Sequence, residues 1–116
     1  METVNIKKGD IIYVDLDENS IGSEQNGLRY CIVVQNNFGN KYSPTTIVAP
    51  ITSKIHKKKL PTHYEISDFR LLDLKSESRI LFEQVRVIDK RRIVKKLNSC
   101  ISESIINQYL LTSFGI

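Results

Sequence analysis

The chain has 116 residues, of which 41% are hydrophobic and 26% are charged, and its net charge is +4. These proportions are typical of a globular protein with a single core, so we expect residues 1–116 to form one domain. No apolar run approaches the roughly 20 residues that a membrane-spanning helix requires, which argues against a membrane protein. The small positive excess suits a polyanionic partner such as nucleic acid but does not require one.

The two cysteines, Cys31 and Cys100, lack the spacing of a metal or redox motif. We expect both to be buried free thiols, as is usual in a reducing compartment. We also expect no secretory leader, because the first residues include no apolar segment of the required kind. The sequence therefore predicts a cytoplasmic protein with no membrane partner.

The first half of the chain predicts three strands, because β-branched and aromatic residues are concentrated between turn-forming residues. These strands cover residues 11–16, 30–35 and 45–51, and the apolar run in the second predicts a strand buried on both faces. A polar loop joins the first two strands. Residues 36–40 are rich in Asn and Gly, and they predict a turn before the third strand.

The second half predicts a half-exposed strand at residues 62–66, one long strand at residues 78–88 and a short strand at residues 93–97. From Ser102, the predicted N-cap, the apolar spacing becomes that of a helix. The pattern predicts a mainly β fold with a terminal helix. We expect a small, strongly bent antiparallel sheet or barrel of five to seven strands, capped by that C-terminal α-helix.

Three common kinds of active site find little support in the sequence. His56 and His63 have no cysteine or carboxylate at ligand spacing, so we interpret both as surface histidines and predict no metal site and no cofactor. The G-x-S-x-G pattern of serine hydrolases and the Walker pattern of phosphate loops are absent from the sequence. The remaining candidates are polar residues at strand ends.

Arg29 and Thr52 are the strongest of these candidates. They stand at the ends of the second and third strands, which can lie together in a bent antiparallel sheet. A guanidinium binds phosphate through paired N–H donors, and a neighbouring hydroxyl can donate to an oxygen that gains charge during the reaction. Such a pair suits RNA cleavage, in which the nucleophile is the substrate's own 2′-hydroxyl. Taken alone, the spacing favours the simpler interpretation that both residues only cap strand ends.

Polar and basic residues surround this pair. The loop before Arg29 carries Ser23, Glu24 and Gln25, and it could serve a ligand or merely be solvated. Basic segments follow the third strand and the long strand, and an aromatic residue in the turn could stack on an unpaired base. The predicted RNA contacts from these patterns are Ser53, Lys54, Lys57, Arg86 and Phe38.

Seven short blocks follow one another over roughly residues 8 to 97, and they are Lys8-Gly9-Asp10-Ile11, Gly22-Ser23-Glu24-Gln25-x-Gly27-x-Arg29, Val34-Gln35-Asn36, Ser43-Pro44-Thr45, Ala49-Pro50-Ile51-Thr52-Ser53, Leu60-Pro61-Thr62-His63 and Glu83-Gln84-Val85-Arg86-Val87-Ile88-Asp89-Lys90. In this order the blocks resemble the MazF/PemK toxins of type II toxin–antitoxin systems.

The resemblance implies an SH3-like β-barrel of the type shared by MazF, PemK and CcdB toxins. It implies a sequence-specific, metal-independent endoribonuclease that cuts single-stranded RNA, mainly mRNA, and leaves 2′,3′-cyclic phosphate and 5′-hydroxyl ends. The catalytic residues would be Arg29 and Thr52. The loop with Ser23, Glu24 and Gln25 would shape the active site, and Gln84 would contact RNA bases. Asn36 is a further predicted RNA contact. The family acts as a homodimer with RNA along a groove across both subunits, and a MazE-like antitoxin covers that surface.

Tyr30 departs from the family, which usually has proline after the catalytic arginine. Tyrosine restores a backbone N–H and adds a ring beside Arg29, so substrate preference or activity can differ. Asn26 is a milder departure, because it replaces what is often a small residue. Two other functions remain open: a non-catalytic toxin of the same fold that binds a protein target such as DNA gyrase, and a module that binds single-stranded RNA without cutting it.

Overall fold

The computed structural model describes residues 5–16, 21–22, 24–55, 58–70, 72 and 74–116. Within these ranges the chain forms seven β-strands, two α-helices and two 3₁₀ turns, at Phe82–Gln84 and Lys90–Arg92. In chain order the elements are β1 (Asp10–Leu16), β2 (Gly27–Val33), α1 (Asn37–Tyr42), β3 (Thr45–Thr52), β4 (His63–Ile66), β5 (Ser78–Leu81), β6 (Arg86–Asp89), β7 (Ile93–Cys100) and α2 (Glu103–Phe114).

The strands form an antiparallel sheet in the order β4-β5-β3-β2-β1-β7, with β6 also paired to β3. β3 is the centre of this arrangement. It pairs with β2 along one edge, and along the other edge it pairs first with β6 and then with β5. The prediction of a mainly β protein with a C-terminal helix is confirmed.

The predicted long strand at residues 78–88 is wrong, because a 3₁₀ turn at Phe82–Gln84 divides it into β5 and β6. The break lies beside Pro50, which has no N–H to give to a neighbouring strand. β6 pairs with β3 as far as Val48, and β5 pairs with it from Ile51. The interruption turns the side chains of the 3₁₀ residues out of the ladder, and two of them border the cleft described below.

The sheet buries apolar side chains on both faces, because its central strands carry them at consecutive positions. Along β2, Ile32 belongs to one core cluster while Cys31 and Val33 belong to the other. β1 does the same with Ile11 on one face and Ile12 on the opposite face. The expectation of a strand buried on both faces is confirmed for the second half of β2, which begins earlier than predicted, at Gly27.

Helix α2 closes the first core cluster and supports the 3₁₀ turn at Phe82–Gln84. Its buried Ile106 enters the cluster, and the Tyr109 ring stacks on Phe82 with centroids 5.4 Å apart. Tyr109 also meets Tyr64 of β4 edge-on. Ser102 has the backbone angles of an N-cap, as predicted, but its side chain makes no capping hydrogen bond. The helix thus fixes the residue that precedes Glu83 and Gln84.

The predicted turn at residues 36–40 is wrong, because Asn37–Tyr42 forms the short helix α1. The Asn36 side chain caps it by accepting a hydrogen bond from the Gly39 N–H at 2.8 Å. Buried Asn40 then joins α1 to β3, with its Oδ1 accepting from the Thr46 hydroxyl at 2.7 Å. Asparagine is common both in turns and at helix caps, so composition alone did not separate the two.

Two further expectations concern the cysteines and the helices. Cys31 is buried as predicted, but Cys100, at the end of β7, is exposed. Along the described ranges, neither helix has the length and apolar character that crossing a bilayer requires.

Candidate active site

A cleft of about 330 Å³ opens where the end of β3 meets the start of β4, the end of β5 and the 3₁₀ turn after it. Backbone pairing brings these segments together although they are far apart in the sequence. The cleft is lined by Gln25, Thr52, Lys54, Lys58, Leu60, His63, Arg79, Leu81, Glu83 and Gln84. Four of these residues, namely Gln25, Thr52, Lys54 and Gln84, were predicted as site residues.

Thr52 is the last residue of β3 and is buried at the cleft wall. Its Oγ1 accepts a hydrogen bond from the Lys54 N–H at 3.1 Å. This contact orients the hydroxyl, because it occupies an acceptor position on the oxygen. A hydroxyl that accepts one hydrogen bond still has its own O–H, so Thr52 can donate to an oxygen of a bound ligand.

Arg29 and Thr52 each lie two residues beyond the end of the ladder between β2 and β3. That ladder pairs Ile32 with Ala49 and Cys31 with Pro50. Beyond it, Thr52 pairs with Arg79 of β5. The Arg29 Nε donates to the Asn26 carbonyl oxygen at 2.9 Å, which holds the side chain against the loop before β2.

The two predicted catalytic residues nevertheless border different depressions. Thr52 lines the cleft, whereas Arg29 lines an adjoining cavity of about 200 Å³ together with Tyr30 and Ser53. Tyr30 packs against Tyr13 with ring centroids 4.8 Å apart, so the residue in the usual proline position forms part of this second wall. Thr52 and Ser53 are adjacent in the chain, and the end of β3 therefore contributes to both depressions.

His63 is buried in the cleft wall, so its interpretation as a surface histidine is wrong. Its Nδ1 accepts a hydrogen bond from the Leu60 N–H at 3.1 Å, and its Nε2 lies 2.9 Å from the Glu83 Oε2. In the neutral ring, an accepting Nδ1 requires the proton to be on Nε2, which then donates to Glu83. Glu83 also accepts from the Thr62 hydroxyl at 3.2 Å. The cleft thus holds an oriented imidazole–carboxylate pair.

The loop before β2 is tied to the 3₁₀ turn after β5. The Gln84 Oε1 accepts a hydrogen bond from the Gln25 N–H at 3.0 Å. Glu24 is exposed beside it. The predicted loop residue Ser23 and the predicted RNA contact Lys57 lie outside the described residues, as does His56. Gln84 therefore supports the loop and at the same time borders the cleft.

The other predicted RNA contacts lie around this centre. Lys54 and Ser53 are exposed after β3, and Arg86 is half-buried on β6 opposite Val48. Asn36, the N-cap of α1, and Phe38 of α1 are exposed and do not line the cleft. The Phe38 ring is 76% exposed and packs on Tyr42 with centroids 4.9 Å apart.

The charges around the cleft are mainly positive. Lys54, Lys58 and Arg79 line it, with Glu83 as the acidic member of the described lining. Behind it, burial raises the pKa of the Cys31 thiol to about 12, and the charges of Arg86 and Arg29 offset this only in part. Within the described ranges, no three histidine, cysteine or acidic side chains are grouped so that they could hold a metal ion.

Residues 7–110 match the family model described as PemK-like, MazF-like toxin of type II toxin-antitoxin system. The chain belongs to this family. It is 49% identical over 92 residues to Endoribonuclease EndoA of Bacillus subtilis (strain 168), which covers 79% of this chain and 78% of that protein.

Solved structures of MazF proteins share the fold. MazF of Deinococcus radiodurans is similar at a TM-score of 0.75 and 17% identity, covering 97% of this chain and 99% of that one. An endoribonuclease in complex with its cognate antitoxin, from a mycobacterial species, is similar at a TM-score of 0.72 and 17% identity, covering 96% of both chains.

Sequence reasoning gave no individual role to His63, Arg79 or Glu83, which line the cleft. Thr62-His63 and Glu83-Gln84 both belong to the PemK/MazF-like blocks. Only the ladder between β4 and β5 shows that His63 lies beside Glu83. No sequence pattern marked Arg79 as a site residue. A charged residue within a strand is expected to be exposed unless its partner on a neighbouring strand is known.

Proposed function

We propose that this chain is an endoribonuclease toxin that cuts single-stranded RNA, mainly mRNA, at a specific sequence and without a metal ion. Family membership and the similarity to EndoA support the activity. The cleft supports the substrate class, because two lysines, Lys54 and Lys58, line it together with a hydroxyl that can donate to a phosphate. The products we infer are a 2′,3′-cyclic phosphate and a 5′-hydroxyl.

The reaction would use the substrate's 2′-hydroxyl as nucleophile. Its oxygen attacks the adjacent phosphorus, the bond from phosphorus to the 5′-oxygen breaks, and the 2′,3′-cyclic phosphate forms. The 2′-hydroxyl proton passes to the Glu83 carboxylate, which the His63 N–H holds in place, and the departing 5′-oxygen takes a proton from water. The hydroxide left by that water takes the proton back from Glu83, which restores the carboxylate and the water. No bond to the protein forms, and the ring closure requires neither a metal nor a cofactor.

Thr52 and Arg29 would stabilise the charge that develops on the phosphate. In this proposal the scissile phosphate lies at the end of β3, where the cleft and the adjoining cavity meet. The Thr52 hydroxyl donates to one nonbridging oxygen and the Arg29 guanidinium to the other. Lys54 and Lys58 would then contact neighbouring phosphates, and the loop with Ser23, Glu24 and Gln25 would border the bound strand.

The observation that carries this proposal is the placement of the Thr52 hydroxyl in one cleft with the His63–Glu83 pair. The test is cleavage of a long RNA in the presence of EDTA by the wild-type protein and by Thr52→Val, Arg29→Met and Glu83→Gln. Losing one donor to the developing charge costs about 10²–10³-fold in rate, and losing a general base about 10²–10⁴-fold.

Thr112→Val is a matched control, because it makes the same substitution at an exposed residue of α2 that does not line the cleft. We expect it to cut RNA far faster than Thr52→Val. Discrete cuts by the wild type, lost in the folded Thr52 variant, support the proposal. Intact RNA with the wild-type protein contradicts it, and gyrase inhibition by the same sample would then indicate the non-catalytic alternative.

The partners we propose follow from the family. A MazE-like antitoxin would bind the RNA surface and neutralise the toxin, as supported by the MazE–MazF structure from Deinococcus radiodurans, which shares the fold at a TM-score of 0.73. We also propose a homodimer acting in the cytoplasm as a single-domain subunit. Analytical ultracentrifugation of the toxin alone tests the dimer, and a monomer at micromolar concentration would contradict it.

A further inference from the structure

Arg79 is a buried cation beside Thr52. It lies on β5, directly opposite Thr52 of β3 and directly opposite Glu65 of β4. Directly opposed residues have their Cβ atoms about 4.5–5.5 Å apart, so Arg79 adjoins both. Its side chain is 5% exposed, and it contributes to the cleft wall.

The guanidinium of Arg79 connects two segments of the chain. Its Nη2 donates to the Glu65 Oε1 at 2.9 Å and to the Ile55 carbonyl oxygen at 3.1 Å. Ile55 belongs to the loop that follows β3, and the Lys54 N–H of the same loop donates to the Thr52 hydroxyl oxygen. Arg79 therefore fixes the loop whose backbone orients Thr52.

Stability alone does not account for this arginine. The neighbouring β5 residues Ile80 and Leu81 are buried apolar side chains. Replacing a buried ion pair with well-packed apolar residues is often neutral or stabilising, because burying a charge carries a large desolvation cost. A guanidinium at this position does what an apolar residue cannot, since its Nη2 donates to a carboxylate and to a backbone carbonyl together.

We propose that Arg79 is a positioning residue for RNA cleavage, which holds residues 53–55 so that the Thr52 hydroxyl faces the scissile phosphate. This inference rests on the proposed endoribonuclease activity. Because Arg79 acts through the loop, its loss lowers the rate of the chemical step more than it weakens RNA binding. Lysine does not replace it, because its ammonium nitrogen is one bond closer to the backbone than Nη2 and its compact, strongly hydrated charge suits a buried site less well.

The test compares wild type, Arg79→Lys, Arg79→Met and Glu65→Gln. Single-turnover cleavage gives the rate of the chemical step, and binding of an RNA with a 2′-deoxy residue at the cut site gives the affinity without cleavage. Ile88→Val is the control for lost stability, because Ile88 is buried in the other core cluster. Thermal unfolding of every variant establishes that it is folded.

We expect the rate to fall about 10-fold or more in both Arg79 variants, since small displacements of a catalytic group can cost up to about 10²-fold. The Kd for the deoxy RNA should change less than about threefold, and Ile88→Val should cut at the wild-type rate. A wild-type rate in folded Arg79→Lys overturns the inference. If neither Arg79 variant folds, Glu65→Gln decides: a lower rate at unchanged Kd supports positioning, and a wild-type rate overturns it. Absence of cleavage by the wild type would instead refute the proposed function.

Discussion

Asn40 offers the clearest prediction of stability, because its side chain forms the buried polar network that joins α1 to β3. Its Oδ1 accepts hydrogen bonds from the Thr46 hydroxyl at 2.7 Å and from the Gln35 Nε2 at 3.2 Å. Its Nδ2 donates to the Gln35 carbonyl oxygen at 2.9 Å. The buried Lys90 ammonium donates a hydrogen bond to the Asn40 carbonyl oxygen, so the backbone of the same residue also pairs with a charged group.

Asn40→Ala removes the side-chain partners of Thr46 and Gln35 together. Thr46 is completely buried, so its hydroxyl cannot turn to water, whereas Gln35 is half-buried and keeps partial access. An orphaned buried polar group costs about 1–3 kcal/mol. We therefore expect Asn40→Ala to lower the free energy of unfolding by about 3 kcal/mol, with the Thr46 hydroxyl as the largest contribution.

Equilibrium unfolding in urea measures this loss, and a double-mutant cycle assigns it. In Thr46→Val the hydroxyl is already absent, so adding Asn40→Ala should cost about 1–2 kcal/mol less than it does in the wild-type background. A loss below about 1 kcal/mol, or strictly additive effects of the two substitutions, would refute the network as the origin of the stability. RNA cleavage per folded molecule should be unchanged, because neither side chain lines the cleft.

Three other predictions can be checked separately. Gly9→Ala should lower the free energy of unfolding in urea by roughly 1–3 kcal/mol more than Gly27→Ala does. Both glycines have positive φ, but a Cβ at Gly9 would lie 2.5 Å from the Ile101 carbonyl oxygen, whereas a Cβ at Gly27 would meet open space. Equal losses would contradict this. Iodoacetamide at pH 8 should label exposed Cys100 and spare Cys31 in the native protein, because a pKa raised to about 12 keeps the Cys31 thiol protonated. Mass spectrometry identifies the labelled cysteine, and labelling of Cys31 before Cys100 would contradict the burial of Cys31. Lys54→Ala and Lys58→Ala should each reduce the slope of log K against log salt for single-stranded RNA by about 0.7, whereas an unchanged slope would remove that lysine from the phosphate contacts.

The strands were predictable where apolar residues are continuous and bounded by turn residues. β1 and β3 match their predicted positions to within one residue, because the buried β-branched side chains of each strand mark its extent. The single strand predicted over residues 78–88 failed, since Phe82 continues the apolar pattern through the 3₁₀ turn. Only the pairing partners of β3, on either side of Pro50, require the break.

The candidate site was predictable only in part, for the same physical reason. Thr52, Gln25 and Gln84 were identified from family-like blocks, and the structure gathers them in one cleft. The roles of His63 and Arg79 depend on burial, which comes from cross-strand neighbours far away in the sequence. A histidine beside a loop and an arginine within a strand show no local sign of the carboxylates that face them.

The most direct test of the proposed chemistry is the identity of the new 3′ end. A short RNA that contains the cut site should be incubated with the protein in EDTA and analysed by mass spectrometry, beside the same RNA with a single 2′-deoxy residue at that site. We expect a 2′,3′-cyclic phosphate from the first RNA and no cleavage of the second. A 3′-hydroxyl end, or cleavage of the deoxy substrate at the same bond, would contradict attack by the 2′-hydroxyl and with it the roles proposed for Thr52, Arg29 and Glu83.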